Sequence, residues 1–223
     1  MGTSHEALKR DIIETCRRLE AVGYFVGTWG NISARVPEGF IVTPSRIQYD
    51  LMTPDDLVTV SPEGVVVDGR RLPSSETEVH RLVLNTRDDV GAVIHSHSPC
   101  ATAVSCVQRP IPPFVEDLAQ IVGGVINCTR YVSGSHHKKL AEEAVANLGE
   151  VNAVLLANHG VLCCGRDLVE AFVTCQIVEK AAFMMLSAAG IGPVTVIPEG
   201  EVAAERHRFL YKYGTKEDFG RTE

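Results

Sequence analysis

The spacing of apolar positions divides the chain into helical and extended segments. Apolar side chains recur every three or four positions in residues 5–22, which predicts an amphipathic helix that ends at Gly23. Asp167 is typical of an N-cap, and Ser75 with Glu78 has the spacing of a capping box. The pattern predicts further helices over about residues 76–87, 98–107, 136–148, 167–190 and 199–212.

Short apolar runs beside turn residues predict strands. Three pairs of runs flank the turns Pro37-Glu38-Gly39, Pro62-Glu63-Gly64 and Asn158-His159-Gly160. The predicted strands are 32–36, 40–42, 58–60, 65–67, 90–97, 151–157 and 161–164. Because tight turns join neighbouring strands and the order is not strictly β-α-β, we predict an α/β fold with a largely antiparallel sheet.

Composition narrows the class of protein. The chain has 223 residues, a formal net charge of −7 and 45% hydrophobic residues, which are values typical of a globular chain. No linker separates two parts, so we predict a single domain over residues 1–223. The apolar content argues against disorder, and the lack of a basic cluster argues against nucleic-acid binding. No apolar run reaches the ~20 residues that a membrane span needs.

The cysteines and the N-terminal residues indicate the compartment. There are seven cysteines, an odd number without a C-x-x-C pair, which favours reduced thiols over a disulfide framework. No basic segment followed by an apolar one opens the chain, so no signal peptide is expected. Both observations predict a cytoplasmic protein.

Three histidines are the strongest candidates for chemistry. His95 and His97 are two apart on a predicted strand, so their side chains point to the same face. His159 lies in a tight turn after another apolar strand. Three imidazoles with an open fourth position form a typical catalytic zinc site. The spacing by itself also fits histidines that only make backbone hydrogen bonds.

Glu76 is a candidate general base. It lies at the predicted start of a helix, where a carboxylate is favourable regardless of function. Next to a divalent cation it could take a proton from a carbon beside a carbonyl. His80 is four residues further on the same helix face and could orient Glu76, but we favour a half-buried polar residue.

Two short stretches have features of anion sites. Gly27-Thr28-Trp29-Gly30-Asn31 precedes a strand, and its backbone N–H groups and side chains can donate to an anion. Pro73-Ser74-Ser75 precedes a helix, whose N-terminus also attracts phosphate. Each signal alone is weak, because the same residues are common in turns and caps.

Taken together, these motifs resemble the class II aldolase/adducin-like family. The similarity covers nearly the whole chain. It rests on five motifs in order: Gly-Thr-x-Gly-Asn-x-Ser (27–33), Thr-Pro-Ser (43–45), Ser-Ser-Glu (74–76), His-x-His (95–97) and Asn-His-Gly (158–160). The resemblance implies a three-layer α/β/α sandwich around an antiparallel sheet. It also implies a homotetramer with active sites at subunit interfaces.

The resemblance also implies a reaction and roles for individual residues. A metal-dependent aldolase would cleave a phosphorylated ketose, similar to fuculose 1-phosphate, into dihydroxyacetone phosphate and an aldehyde through a metal-stabilised enediolate. His95, His97 and His159 would bind Zn²⁺, and Glu76 would act as acid/base and as a further ligand. Mn²⁺, Co²⁺ or Fe²⁺ would also suit three imidazoles. Residues expected to hold the substrate and its phosphate are Thr28, Gly30, Asn31, Ser45, Arg46, Ser74 and Ser75.

The sequence departs from the family pattern at three places. Arg46 stands where these aldolases have glycine, and it could donate to an anion or be a solvated charge. Trp29 replaces a small residue. Where the family supplies a tyrosine proton donor from a neighbouring subunit, this chain has Glu116 and Asp117, which are candidate replacements. Tyr213 matches a tyrosine near the family's C-terminus that closes over the site.

Other activities of the same family stay open. A metal-dependent decarboxylase of a sugar acid or an aromatic acid would use the same site, and so would a pentulose-phosphate 4-epimerase. The Ser-Ser-Glu motif favours aldol chemistry, since related decarboxylases of sugar-acid phosphates lack this glutamate. A non-catalytic adducin-like module is disfavoured because the three histidines and Glu76 are all present.

Overall fold

The computed structural model describes residues 5–214. Its seven α-helices are α1 (Glu6–Ala21), α2 (Thr77–Thr86), α3 (Pro99–Cys106), α4 (Glu116–Ile121), α5 (His137–Leu148), α6 (Leu168–Ala188) and α7 (Glu199–Tyr211). Its seven strands are β1 (Asn31–Val36), β2 (Gly39–Val42), β3 (Val58–Val60), β4 (Val66–Asp68), β5 (Ala92–Ser96), β6 (Ala153–Leu156) and β7 (Gly160–Gly165). A 3₁₀ helix spans Pro54–Asp56.

The strands form one sheet in the order β4-β3-β2-β1-β5-β7-β6, in which all neighbouring pairs are antiparallel. The chain therefore has the α/β fold with an antiparallel sheet that its turn pattern predicts. Asn31 lies opposite His95 in the β1–β5 pair, and Ser96 lies opposite Val161 in the β5–β7 pair. These registers bring the first residue of β1, the last residue of β5 and the first residues of β7 together at one end of the strands.

Two hydrophobic clusters pack against the sheet, because side chains alternate between its faces. In β5, Ala92 and Ile94 belong to a cluster with residues of α1, α3 and α6, and Val93 belongs to a cluster with residues of α2 and α5. In β1 the apolar side chains face the first cluster, so the polar side chains of Asn31 and Ser33 lie on the α2 face. The side chains of Asn31 and Ser33 therefore face α2, the helix that begins next to Glu76.

Two local predictions were wrong. Ser75 and Glu78 form no capping box, because α2 has Glu76 as its N-cap and Glu78 pairs with Arg81 instead. Helix α4 lies in a segment for which the sequence predicts no helix.

Helix α6 has the length and mean hydropathy of a membrane span, 21 residues and 1.3. It packs on β5 and β7, and its buried apolar side chains, such as Phe172 and Val178, belong to the core, whereas Val169 and Phe183 are exposed. The predicted Asp167 cap is confirmed, since its carboxylate accepts from the Glu170 N–H at 2.8 Å.

Candidate metal and acid–base site

The three predicted histidines converge at the end of the sheet where the start of β1, the end of β5 and the start of β7 meet. The ring centroids lie 4.8 Å apart for His95–His97, 4.8 Å for His95–His159 and 5.1 Å for His97–His159. The Nε2 atoms of His95 and His97 are 2.9 Å apart, and one possible ligand atom from each histidine lies within 4.8 Å of the others. The sequence prediction that these imidazoles can reach one ion is therefore consistent with their positions.

The turn before β7 explains how His159 reaches the other two rings. Asn158 adopts a left-handed φ of 56°, a conformation that asparagine tolerates better than most residues. A Cβ atom on Gly160 would lie 2.4 Å from the Ser96 carbonyl oxygen and 2.8 Å from the His97 ring. Glycine is thus required at position 160, because any larger residue would separate β7 from the histidine strand.

The protonation of the cluster suits metal binding. The Val161 carbonyl, 3.1 Å from Nδ1 of His95, can only accept, so Nδ1 carries the proton and Nε2 presents a lone pair to the cluster. Burial, together with the neighbouring His95, lowers the pKa of His97 to about 3 and the pKa of His159 to about 4. Neutral imidazoles are the form that binds a cation, so this donor set fits a divalent metal ion.

Glu76 completes the cluster. Its Oε2 lies 3.3 Å from Nε2 of His95, and its Oε1 lies 3.3 Å from Nε2 of His159. Burial opposes ionisation, but His95, His159 and a hydrogen bond from Asn31 outweigh it and lower the pKa of Glu76 to about 2. At neutral pH the group is therefore a carboxylate, the form that can bind a cation or accept a proton.

His80 is not the half-buried residue that the sequence favours. It is fully buried, with Nδ1 2.7 Å from Ser33 Oγ and Nε2 2.5 Å from Asn31 Oδ1. The Asn31 amide then donates to Glu76 Oε2 at 2.8 Å. Burial lowers the pKa of His80 to about 3, so the ring is neutral. The sequence suggested that His80 could orient Glu76, but it did not reveal that the connection runs through Asn31 and extends to Ser33. The alternation of side chains along β1, which puts Asn31 and Ser33 on one face, was the available signal.

The loops expected to hold phosphate lie beside the same end of the strands as the histidines. Backbone bonds link Ser45 N–H to Leu72 O and Ser74 N–H to Thr43 O, each at 3.0 Å, so the segments after β2 and before α2 run together. The Thr43 N–H donates to the carbonyl of Ile32, and the Ile32 N–H donates to the Thr43 hydroxyl. These bonds hold the segment after β2 next to Asn31. Ser75 and Thr28 are exposed, whereas Ser74 is buried and its Oγ accepts from the Glu76 N–H at 3.2 Å.

The loop before β1 requires a glycine at position 30. Its φ is 125°, and a Cβ atom there would lie 2.4 Å from the Phe25 ring. Beside it, Trp29 is exposed, and its ring centroid lies 6.0 Å from that of His97. A large apolar surface therefore borders the open side of the histidine cluster.

Arg46 has an unusual backbone. Its φ of 62° is left-handed, a region that favours glycine and costs a branched or long side chain about 1 kcal/mol or more. The side chain is exposed, and within residues 5–214 no hydrogen bond or ion pair involves its guanidinium. Next to it, the Ser45 hydroxyl donates to the Pro73 carbonyl at 3.0 Å.

Three predicted residues do not meet the cluster within this chain. Asp117 forms an ion pair with Lys180 of α6, and Glu116 lines a cavity of about 740 Å³ between α4, α6 and the segment leading into α7. Tyr213 follows α7 and packs its ring 5.9 Å from Phe209. Their described contacts therefore lie outside the histidine cluster.

Comparisons with known proteins identify the family. The family model "Class II Aldolase and Adducin N-terminal domain" matches residues 10–186. A 5-methylthioribulose-1-phosphate/5-deoxyribulose-1-phosphate aldolase of Rhodospirillum rubrum is 35% identical over 98% of this chain and 96% of that protein. An L-fuculose phosphate aldolase of Escherichia coli O6:H1 is 34% identical over 91% of this chain and 94% of that protein.

A solved structure agrees with the sequence comparisons. An L-fuculose 1-phosphate aldolase superposes with a TM-score of 0.88 and 32% identity, covering 95% of this chain and 99% of that one. The chain thus shares its fold with a known aldolase over nearly its whole length. The protein belongs to the class II aldolase and adducin family, as an enzyme of the metal-dependent aldehyde-lyase class.

Proposed function

We propose that the protein is an aldolase that reversibly cleaves a ketose 1-phosphate into dihydroxyacetone phosphate and a small aldehyde. The observation that carries this proposal is the position of the Glu76 carboxylate, 3.3 Å from two imidazoles of the histidine cluster. A base beside a metal centre is what proton transfer next to a carbonyl requires. The named relatives act on fuculose phosphate or on methylthioribulose and deoxyribulose phosphates, which share the donor half.

His95, His97 and His159 would hold the metal, which we propose to be Zn²⁺, with Mn²⁺, Co²⁺ or Fe²⁺ as substitutes. When bound, a divalent ion would polarise the substrate carbonyl and stabilise negative charge on it. Glu76 would serve as a further ligand before substrate arrives. In the direction of aldol addition, and in proton exchange, the Glu76 carboxylate takes the proton from the hydroxymethyl carbon next to the carbonyl; in the cleavage direction it returns a proton to that same carbon.

The phosphate would bind at the loops beside this centre. We assign Thr28, Gly30, Ser45, Ser74 and Ser75 to it, with the Arg46 guanidinium as an additional bidentate donor. The Asn31 side chain already donates to Glu76 and accepts from His80, so its expected phosphate contact stays a prediction.

A homotetramer would complete the site. Glu116, Asp117 and Tyr213 have no contact with the histidine cluster of their own chain, so we propose that they act, as proton donors or as a cover, in a neighbour's site. Exposed apolar surface supports an assembly: Val65, Val66 and Val67 are consecutive, exposed and at the β4 edge of the sheet. Proteins usually cover or charge such an edge.

We further propose a single domain with three layers, in which the helices of the two hydrophobic clusters cover both faces of the sheet. A cytoplasmic location is supported by the cysteines, all seven of which are free thiols.

Proton exchange tests the function directly. The Zn²⁺-loaded protein should exchange one hydroxymethyl proton of dihydroxyacetone phosphate for deuterium in D₂O, and NMR should show that the exchange is stereospecific. A metal-loaded protein that exchanges no proton would contradict the aldolase proposal. That result would favour decarboxylation of a carboxylated substrate bound by Arg46.

Replacing Arg46 with Gly should separate stability from substrate binding. The Gly variant should unfold at a higher temperature, because the left-handed φ of 62° no longer costs about 1 kcal/mol. Its KM for dihydroxyacetone phosphate should rise about 10-fold or more, since a charge-assisted hydrogen bond contributes about 1.5–3 kcal/mol. Calorimetry and exchange kinetics measure the two effects. Arg46→Lys is the control that keeps the charge and the backbone strain; an unchanged KM in Arg46→Gly would remove Arg46 from the phosphate site.

A further inference from the structure

A chain of buried hydrogen bonds leads from the interior to the Glu76 carboxylate. It runs from Ser33 on β1 to His80 on α2, back to Asn31 on β1, and then to Glu76. Ser33 and His80 have no exposed surface, and Asn31 is 6% exposed. Neither Ser33 nor His80 contacts the open side of the cluster, so neither can touch a substrate.

The chemistry of the groups fixes the direction of each bond. The Oδ1 atom of Asn31 can only accept, so Nε2 of His80 donates to it. Nδ1 of the neutral ring then accepts from the Ser33 hydroxyl. With Oδ1 facing His80, the amide nitrogen of Asn31 must face Glu76, where it donates to Oε2. The ionised Glu76 carboxylate can only accept, so the amide nitrogen faces it, and His80 supplies the donor that anchors the other end of the Asn31 amide at Oδ1.

The carboxylate oxygens differ as a result. Oε2 of Glu76 accepts from Asn31 and lies next to His95, whereas Oε1 lies next to His159 and accepts no hydrogen bond from Asn31. If the amide of Asn31 turned over, its carbonyl oxygen would face the carboxylate and repel it. Oε2 would then lose its donor and the carboxylate would lose its fixed orientation.

We propose that His80 and Ser33 are positioning residues that lock the Asn31 amide so that it holds Glu76 by Oε2 and leaves Oε1 to take the substrate proton. The inference rests on the proposed role of Glu76 as the base. Groups that orient a ligand or base in this way typically change metal affinity or activity by about 10–100-fold when they are replaced.

The test compares holoenzyme variants in the dihydroxyacetone phosphate exchange assay. His80→Leu should lower kcat about 10–100-fold with little change in KM, because the base is misoriented while the phosphate loops are intact. His80→Gln should recover most of the loss, since its amide can still donate to Asn31. Ser33→Ala should also lower kcat, but to a lesser extent. Because it is a smaller change, it provides the test if His80→Leu does not fold.

Thr174→Val is the matched control. Thr174 is fully buried, and its hydroxyl donates to Cys164 O and Glu170 O on the other side of the sheet from α2. Its loss removes a buried hydroxyl without a connection to Glu76, so a lower melting temperature with unchanged kcat is expected. A kcat in His80→Leu and Ser33→Ala equal to that of Thr174→Val would overturn the proposal.

A second readout separates this inference from the proposed reaction. The visible spectrum of the Co²⁺-loaded protein reports the ligands around the ion without any turnover. If the wild-type protein exchanges no proton, the aldolase proposal fails, and the Co²⁺ spectrum decides the role of His80. A changed spectrum in His80→Leu, restored in His80→Gln, would support the positioning role, whereas identical spectra would refute it.

Discussion

Replacing Glu76 with Gln should lower the rate of proton exchange and of aldol cleavage by about 10²-fold or more. Gln has nearly the same shape, and its carbonyl oxygen can still accept from the Asn31 amide, which donates to Glu76 at 2.8 Å. An amide, however, cannot take a proton at neutral pH. The three histidines stay in place, so the variant should retain most of its bound metal. Exchange kinetics and elemental analysis of the same sample measure both quantities.

A neighbouring glutamate provides the control for this experiment. Glu78 follows two residues later on α2 and pairs with Arg81 at 2.6 Å, away from the cluster. Glu78→Gln should leave the exchange rate within about 2-fold, because surface substitutions away from a site change little. Should Glu76→Gln turn over as fast as Glu78→Gln, the base must be another group.

Replacing His95 with Ala should abolish stable metal binding. His95 is 1% exposed, and its Nε2 lies within 3.3 Å of both the His97 imidazole and the Glu76 carboxylate. Its removal takes one of three nitrogen ligands from the centre of the cluster. Because groups that only support a ligand change metal affinity about 10–100-fold, loss of a ligand should cost at least ~10²-fold. Competition with a chelator measures the affinity, and activity should fall with metal content.

His207→Ala is the control, since His207 is exposed on α7 and its ring centroid lies 4.8 Å from that of Tyr211, outside the cluster. It should bind metal as tightly as the wild-type protein. A His95→Ala protein that keeps one metal ion after dialysis against a chelator would show that the ion binds elsewhere. Full activity of a metal-free His95→Ala protein would refute the metal-dependent mechanism itself.

Elements that depend on neighbours in the chain follow closely from the sequence. The apolar spacing of residues 5–22 gives α1, and the run 58–60 gives β3 within the predicted bounds. His-x-His predicts two imidazoles within reach of each other, and they are, although β5 ends at Ser96 and His97 is the first residue after it. The two segments proposed to hold phosphate also precede β1 and α2, as the sequence predicts.

Features that depend on distant residues were predicted less well. Asn31 and Glu76 are 45 residues apart, and Asn31 and His80 are 49 apart, so no local spacing connects them. The pairing of β1 with β5 and the packing of α2 on that face bring them together. This is why His80 looked like an ordinary polar helix residue, and why Asn31 looked like part of a phosphate loop alone.

The sequence by itself determined the α/β class and the antiparallel strands, since these depend on periodicity and turn chemistry at short range, whereas the three histidines and Glu76 were predicted as one site from the family resemblance. Only the tertiary structure decided the hydrogen-bonded path from Ser33 to Glu76, the left-handed backbone at Arg46 and the separation of Asp117 from the cluster. The physical reason is that sheet register and helix packing set which distant polar groups are buried together. A buried polar group must then find its partner among them.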